Sequence, residues 1–452
     1  MRIHRKLAVA TVTALALTGA LTALTPSAAA AAPAKYADDF NADGYRDYAT
    51  GLAGEVTVTY GTATGPGPKT VRFTQDSPGI PGRAGSGDAL DTFGDALATA
   101  DFNADGYADL AVGDPRETVG TKKAAGAVTI LWGARTGLGT KATLLPATAR
   151  ADHGFGAFLA SGDFNGDGKA DLAVADALHT VYIYRGGFST SGTTGKVTQH
   201  TTARTLQPTG LVAGKVTKDD ATDLYVLGQG YQNGKATQAA WFLRGGSTVT
   251  SGTFTTYDAS TPDYMPSGVV ADFDKNGYGD LAVSDTAYDK GAGSVVVLRG
   301  GASGATTSYR LTQSTAGVAT AATAHDGFGT ALSAGDTNRD GYPDLAVGVP
   351  EEEVGAVANA GGVHVLRGGK SGLTGTGSQW FTRATAGVPG DATRDQGFGM
   401  FVRLRDADRD GDADLLVASA DPYYGTVLLR GGASGITTGG AAETDVDPAF
   451  PQ

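Results

Sequence analysis

The chain has 452 residues, a formal net charge of −12, 69 glycines and no cysteine. Nucleic-acid binding needs clustered Lys and Arg to meet phosphates, so this acidic balance sets nucleic acid aside as a partner. Without cysteine, neither disulfides nor a thioether-linked lipid anchor is available, and an exported domain must be held by its core and by bound ions.

Residues 1–32 read as a secretory signal peptide. Arg2, Arg5 and Lys6 form a basic start, an apolar run extends from Leu7 to about Leu24, and small residues with Ala-x-Ala cleavage choices fill Ser27 to Ala32. No second long apolar run follows. The expectation is a secreted, extracellular monomer that is free of the membrane once the segment is removed.

An acidic loop comes next and then returns along the chain. Its oxygen-bearing side chains stand at positions 1, 3, 5 and 9: Asp39, Asn41, Asp43 and Asp47 in the first copy. The same spacing gives Asp101, Asn103, Asp105 and Asp109; Asp163, Asn165, Asp167 and Asp171; Asp272, Asp274, Asn276 and Asp280; Asp336, Asn338, Asp340 and Asp344; and Asp406, Asp408, Asp410 and Asp414. Position 6 is glycine in each: Gly44, Gly106, Gly168, Gly277, Gly341 and Gly411. A further copy, ending at Asp223, is worn: Lys215, Thr217 and Asp219 stand at positions 1, 3 and 5, and Asp220 replaces the glycine. Counting it, first positions recur at intervals of 62, 62, 52, 57, 64 and 70 residues. That period indicates repeats of short strands.

Each unit shares one grammar. A Phe-Gly pair precedes four of the loops: Phe93-Gly94, Phe155-Gly156, Phe328-Gly329 and Phe398-Gly399. A short apolar run such as Asp109-Leu-Ala-Val follows the loop, too short for a helix and suited to a strand covered on both faces. Another strand ends in a glycine turn: Tyr60-Gly61, Trp132-Gly133, or Gly-Gly after Arg185, Arg244, Arg299, Arg367 and Arg430. Those arginines are expected to pair with blade carboxylates, and Trp132 and Trp241 to serve packing. A weaker fourth strand completes the unit. Seven such units predict an all-β, seven-bladed β-propeller of four-stranded blades across residues 33–452. Only Pro33–Asp38 is left for the first blade's inner strand, and the last unit ends in a poor strand, Gly435–Val446.

Three carboxylates and an amide so close together repel unless a cation sits among them. Hard oxygen donors without His or Cys suit Ca²⁺ rather than zinc or copper. Position 12, where an EF-hand carries Glu, is Thr50, Val112, Val174, Val283, Val347 or Val417, inside an apparent strand. The competing reading of the loop is an Asx-rich turn without metal.

The set Phe-Gly, Asp-x-Asn-x-Asp-Gly-x-x-Asp, Asp-Leu-Ala-Val-Gly and a terminal glycine turn resembles the FG-GAP repeat family, the repeats of integrin alpha-subunit propellers, over residues 36–435. The chain looks like a secreted bacterial member. The resemblance implies about six structural Ca²⁺ ions, each in the hairpin between a blade's first and second strands. It adds the position-7 carbonyls of Tyr45, Tyr107, Lys169, Tyr278, Tyr342 and Asp412 to the ligands named above. It also implies that ligand binding belongs to the opposite face, formed by the loops before Phe-Gly and between second and third strands.

On those loops His153, His325, Tyr423 and Tyr424 are candidate ligand-binding residues; the alternative is that they are solvated loop side chains. No Gly-x-Ser-x-Gly or His-Glu-x-x-His motif is present, and no catalytic residue is assigned. The expected function is a calcium-binding module for an extracellular protein or polysaccharide. The alternative is a propeller enzyme, a polysaccharide lyase or hydrolase.

Overall fold

The computed structural model describes residues 32–52, 54–82, 92–139, 141–201, 206–232, 235–258, 266–420 and 422–446. The expected signal peptide lies outside them except for its last residue. Seven antiparallel sheets follow one another along the chain, six four-stranded and the first three-stranded, each in simple up-and-down order. Among the described residues helix is confined to a turn at Tyr288–Gly291 and a 3₁₀ turn at Pro422–Tyr424.

Five of the second strands, Asp109–Asp114, Asp171–Ala175, Asp280–Asp285, Asp344–Val349 and Asp414–Ala418, are buried at every residue. A strand covered on both faces reads as an unbroken apolar run, because neighbouring sheets stack on either side. Seven apolar clusters mark the seven junctions between blades, each drawing on two adjacent blades. The last of them joins Tyr48 of blade one to Leu416, Leu428 and Val446 of blade seven, so the ring is closed.

The Phe-Gly pairs key each blade to the one before. Phe93, Phe155, Phe328 and Phe398 are buried. The amides of Phe155, Phe328 and Phe398 donate to the carbonyls of Ala125, Ala292 and Ala360 in the preceding blade, at 2.9, 2.9 and 3.0 Å. The glycine that follows needs positive φ: at Gly399 (φ +99°) a Cβ would lie 2.2 Å from the Gly362 carbonyl oxygen.

Inner strands Ala96–Ala100, Phe158–Gly162, Gln207–Gly214, Gly268–Ala271, Leu332–Gly335 and Phe401–Arg405 line a central channel of about 770 Å³. Blade one departs from the expected four strands, because its short leading segment forms none. Charge holds this junction instead: Asp38 pairs with Arg46 at 3.1 Å and with Arg405 of blade seven. The weak terminal sequence does form a strand, Thr437–Thr444, paired with Thr426–Arg430. It lies on the outer rim, where exposure removes the need for an apolar pattern.

Candidate metal loops and the opposite face

Five of the six acidic loops are hairpins between first and second strands, and the first leads from the strandless leading segment into Tyr48–Leu52. Each loop's position-6 glycine takes positive φ, from 78° at Gly341 to 95° at Gly411, and its amide donates to the position-1 carboxylate at 2.7–3.2 Å. Position 4 is also left-handed: Ala42, Ala104, Gly166, Lys275, Arg339 and Arg409. The position-9 aspartate clamps the blade's glycine turn. Gly61, Gly133, Gly186, Gly300, Gly368 and Gly431 donate to Asp47, Asp109, Asp171, Asp280, Asp344 and Asp414 at 2.7–3.1 Å. The terminal glycine thus lets the loop and the third strand meet.

The donor set fits a hard divalent cation. Asp406, Asp408 and Asp414 bring carboxylate oxygens within 4.8 Å of one another. Asp171 Oδ2, Asp280 Oδ2 and Asp406 Oδ1 are buried without a hydrogen-bond partner. Burial pushes Asp47 up to about 7 and Asp109 up to about 8, and neighbouring loop carboxylates push the same way, against hydrogen bonds from the backbone. Carboxylates in this condition lack a counter-charge.

The worn copy supplies its own. The Lys215 ammonium donates to the Asp220 carbonyl, and Arg244 pairs with Asp219 at 2.9 Å. Burial opposes ionisation of Asp219, but hydrogen bonds from Arg244, Thr217 and the Ala221 amide outweigh it and hold the carboxyl below its usual range. Neither Lys218 nor Asp220 takes the left-handed backbone of the other loops. Asp223 still accepts from Gly245 at 2.8 Å, so the clamp persists where the other loop positions have changed.

Arginines before the glycine turn meet loop carboxylates as expected in four cases: Arg244, Arg299, Arg367 and Arg430 reach Asp219, Asp274, Asp344 and Asp414. Arg185 differs, donating to the Ser247 carbonyl of the next blade at 2.9 Å. Trp132 and Trp241 are buried, each indole donating to a neighbouring hydroxyl at 2.8 Å.

A second ring of contacts was missed in the sequence. Position-4 cations reach across to the next loop: Lys218 lies over the Tyr278 ring, and Lys275 over the Tyr342 ring while donating to the Asp340 carbonyl at 2.7 Å. Arg339 meets Asp412 at 2.8 Å, and Arg409 of blade seven lies over the Tyr45 ring of blade one. The signal was present as basic residues at position 4 in the last four loops, against Ala42, Ala104 and Gly166 in the first three.

On the opposite face the candidates separate. His153 Nδ1 lies 3.3 Å from Asp176 in blade three. His325 is exposed beside Gly291. Tyr423 and Tyr424 stand together in blade seven with ring centroids 6.1 Å apart, and both line a cleft with Arg383. The central channel is lined by none of the four. Sequence reading also missed Glu352, in the blade-six loop, and the buried Asp326 beside it. Burial, with the Asp326 charge adding, pushes Glu352 up to about 7.

These features define a seven-bladed β-propeller, and FG-GAP repeat profiles match three stretches of it. A profile described as "FG-GAP repeat" matches residues 93–131 and 328–366, and one described as "FG-GAP-like repeat" matches 163–226. Among curated proteins, phosphatidylinositol-glycan-specific phospholipase D of Rattus norvegicus is 30% identical over 149 residues, covering 30% of this chain and 17% of that protein. Integrin alpha pat-2 of Caenorhabditis briggsae is 36% identical over 115 residues, covering 24% of this chain and 9% of that one. The matched part is thus under a fifth of the length of either relative. Both are animal proteins, and nothing in them supports the bacterial source expected from the sequence. Among solved structures, rhamnogalacturonan lyase YesW superposes with a TM-score of 0.39 at 11% identity, covering 90% of this chain and 69% of that one. A mutant of AofleA from Arthrobotrys oligospora gives a TM-score of 0.38 at 12% identity, covering 78% and 87%.

Proposed function

We propose that this propeller is a secreted, calcium-stabilised binding module that offers the face opposite its acidic loops to an extracellular protein or polysaccharide. The supporting observation is a division of labour in the blades. The six acidic loops share one geometry on one face, with buried carboxylate oxygens left without a partner in three of them. The loops on the other face differ in length and carry separate polar and aromatic groups. In this reading Ca²⁺ is held by the side chains at loop positions 1, 3, 5 and 9 and by the position-7 carbonyls, and its role is to offset carboxylate repulsion and keep the hairpins closed.

The enzyme alternative has one observation in its favour: the Glu352 carboxyl, raised to about 7 beside Asp326, has the proton affinity of a general acid. A screen of immobilised extracellular proteins and polysaccharides, run with calcium, tests the binding reading. Retention without turnover is expected. Turnover of a polysaccharide that disappears in Glu352→Gln replaces the module by an enzyme.

A further inference from the structure

We infer that the cleft between blades six and seven, floored by Arg383 and flanked by Tyr423, binds a neutral glycan. The inference rests on the binding-module reading and names its ligand class and place.

The argument begins with a turn used three times. After a blade's outer strand, Thr74, Thr312 and Thr382 make the same local bond: their amides donate to the hydroxyls of Ser77, Thr315 and Thr385 at 3.0, 2.9 and 2.9 Å. The next residue is Gln75, Gln313 or Arg383. Gln75 donates to Asp114 and Glu117 of the following blade at 2.9 and 2.8 Å, and Gln313 donates to Glu352 at 2.5 Å. In both places the loop between second and third strands is twelve residues long, 115–126 and 350–361, and supplies Glu117 or Glu352, while Asp114 ends the strand before it.

Blade seven is built differently. Its loop has only seven residues, 419–425, and brings Tyr423 and Tyr424 to this place. Arg383, with its side chain 2% exposed, spans the space. Nη1 donates to the Pro389 carbonyl at 2.9 Å and to Glu443 at 2.7 Å; Nη2 donates to the carbonyls of Tyr424 and, at 3.2 Å, Gly425. The guanidinium therefore fixes the short loop from below. A cleft of about 380 Å³ remains beside it, within the range of about 300–1,000 Å³ usual for ligand pockets.

Tyr423 is 90% exposed, and its ring meets Tyr424 edge-on at 81°. A tyrosine held out on a pinned loop offers a flat apolar face at small entropic cost, and the C–H face of a sugar ring matches it. Arg383 Nε and Thr393 Oγ1, both in residues lining the cleft, are buried without a hydrogen-bond partner. They leave a donor and a hydroxyl for a polar ligand. Charge sets the class. Glu443 neutralises Arg383, while Asp391 and Asp445 stay on the rim. Carboxylates accept sugar hydroxyls in charge-assisted bonds and repel uronates.

The test uses the full chain in calcium, with cello-, xylo- and manno-oligosaccharides as neutral probes and polygalacturonate as the anionic one, read by isothermal titration. At least one neutral probe binds, polygalacturonate does not, and Tyr423→Ala weakens the neutral probe roughly tenfold or more with its melting temperature unchanged. Tyr423→Phe retains binding. Equal binding by Tyr423→Ala overturns this site while the binding module stands. Preference for polygalacturonate, or binding of no neutral probe, overturns the glycan class; if the protein panel is also left unbound, the module reading falls too.

Discussion

The ammonium of Lys215 donates to the carbonyl oxygen of Asp220, so the fourth acidic loop is closed by a cation that belongs to the protein. The other six loops have no such group at position 1. Two kinds of loop therefore share one period, and their responses to calcium should differ.

Lys215→Met is expected to lower stability by about 0.5–1 kcal/mol, the range for an exposed charged contact, equally with calcium and with chelator. Asp163→Asn should be destabilising in calcium and lose most of that effect in chelator. Urea midpoints of the two variants in both buffers check this. A Lys215→Met effect that vanished on chelation would place a metal in the fourth loop.

Ring closure depends on Arg405. Its guanidinium pairs with Asp38, donates to the Asp47 carbonyl at 3.3 Å and lies over the Tyr48 ring, with a side chain only 8% exposed. Arg405→Ala leaves Asp38 with Arg46 alone and is expected to cost about 1.5–3 kcal/mol. Adding Asp38→Asn should recover part of the loss. Equal urea midpoints for Arg405→Ala and the parent would show that blades one and seven do not need the pair.

Two glycines separate backbone strain from collision. Gly168 has φ +81° and nothing within 4 Å of a built Cβ, so Gly168→Ala should cost about 1–2 kcal/mol, the strain of a left-handed alanine. A Cβ on Gly300 would stand 2.1 Å from the Gly279 carbonyl oxygen, and Gly300→Ala should cost about 3 kcal/mol. Denaturant unfolding ranks the pair; the reverse order would contradict the clamp between glycine turn and loop.

Repetition made the fold legible. Six loops with glycine at position 6, the Asp-Leu-Ala-Val strands and the Phe-Gly pairs each announce a local structure, and their shared period announces the ring. What escaped is what repetition does not carry. Thr437–Thr444 has no apolar alternation because it is an exposed outer strand. Asp38 and Arg405 lie at opposite ends of the chain and meet only when the ring closes. Tyr423 was visible as a loop aromatic, but its support by Arg383 depends on a turn that reads as ordinary polar sequence. The turn's recurrence as Thr74-Gln75, Thr312-Gln313 and Thr382-Arg383 could have exposed it.

Glu352 should make stability depend on pH. Burial is the main cause of its rise from 4.5 to about 7; the Asp326 charge adds to it, and the hydrogen bond from Gln313 opposes it. A carboxyl raised in the folded state stabilises fully below its unfolded value, and that contribution is lost as pH rises through about 7. Glu352→Gln keeps an acceptor for Gln313 without the charge. Its stability relative to the parent should therefore increase between about pH 4.5 and about pH 8. A difference between the two proteins that stayed constant across this window would show that Glu352 titrates normally.

Thermal melting of the chain with excess free Ca²⁺ and again with chelator tests the calcium reading most directly. If the six loops hold structural calcium, chelation lowers the melting temperature clearly. The lost stability is on the order of 2–3 kcal/mol per site for ion held a hundredfold above its dissociation constant. Superimposable melts in the two buffers would contradict it.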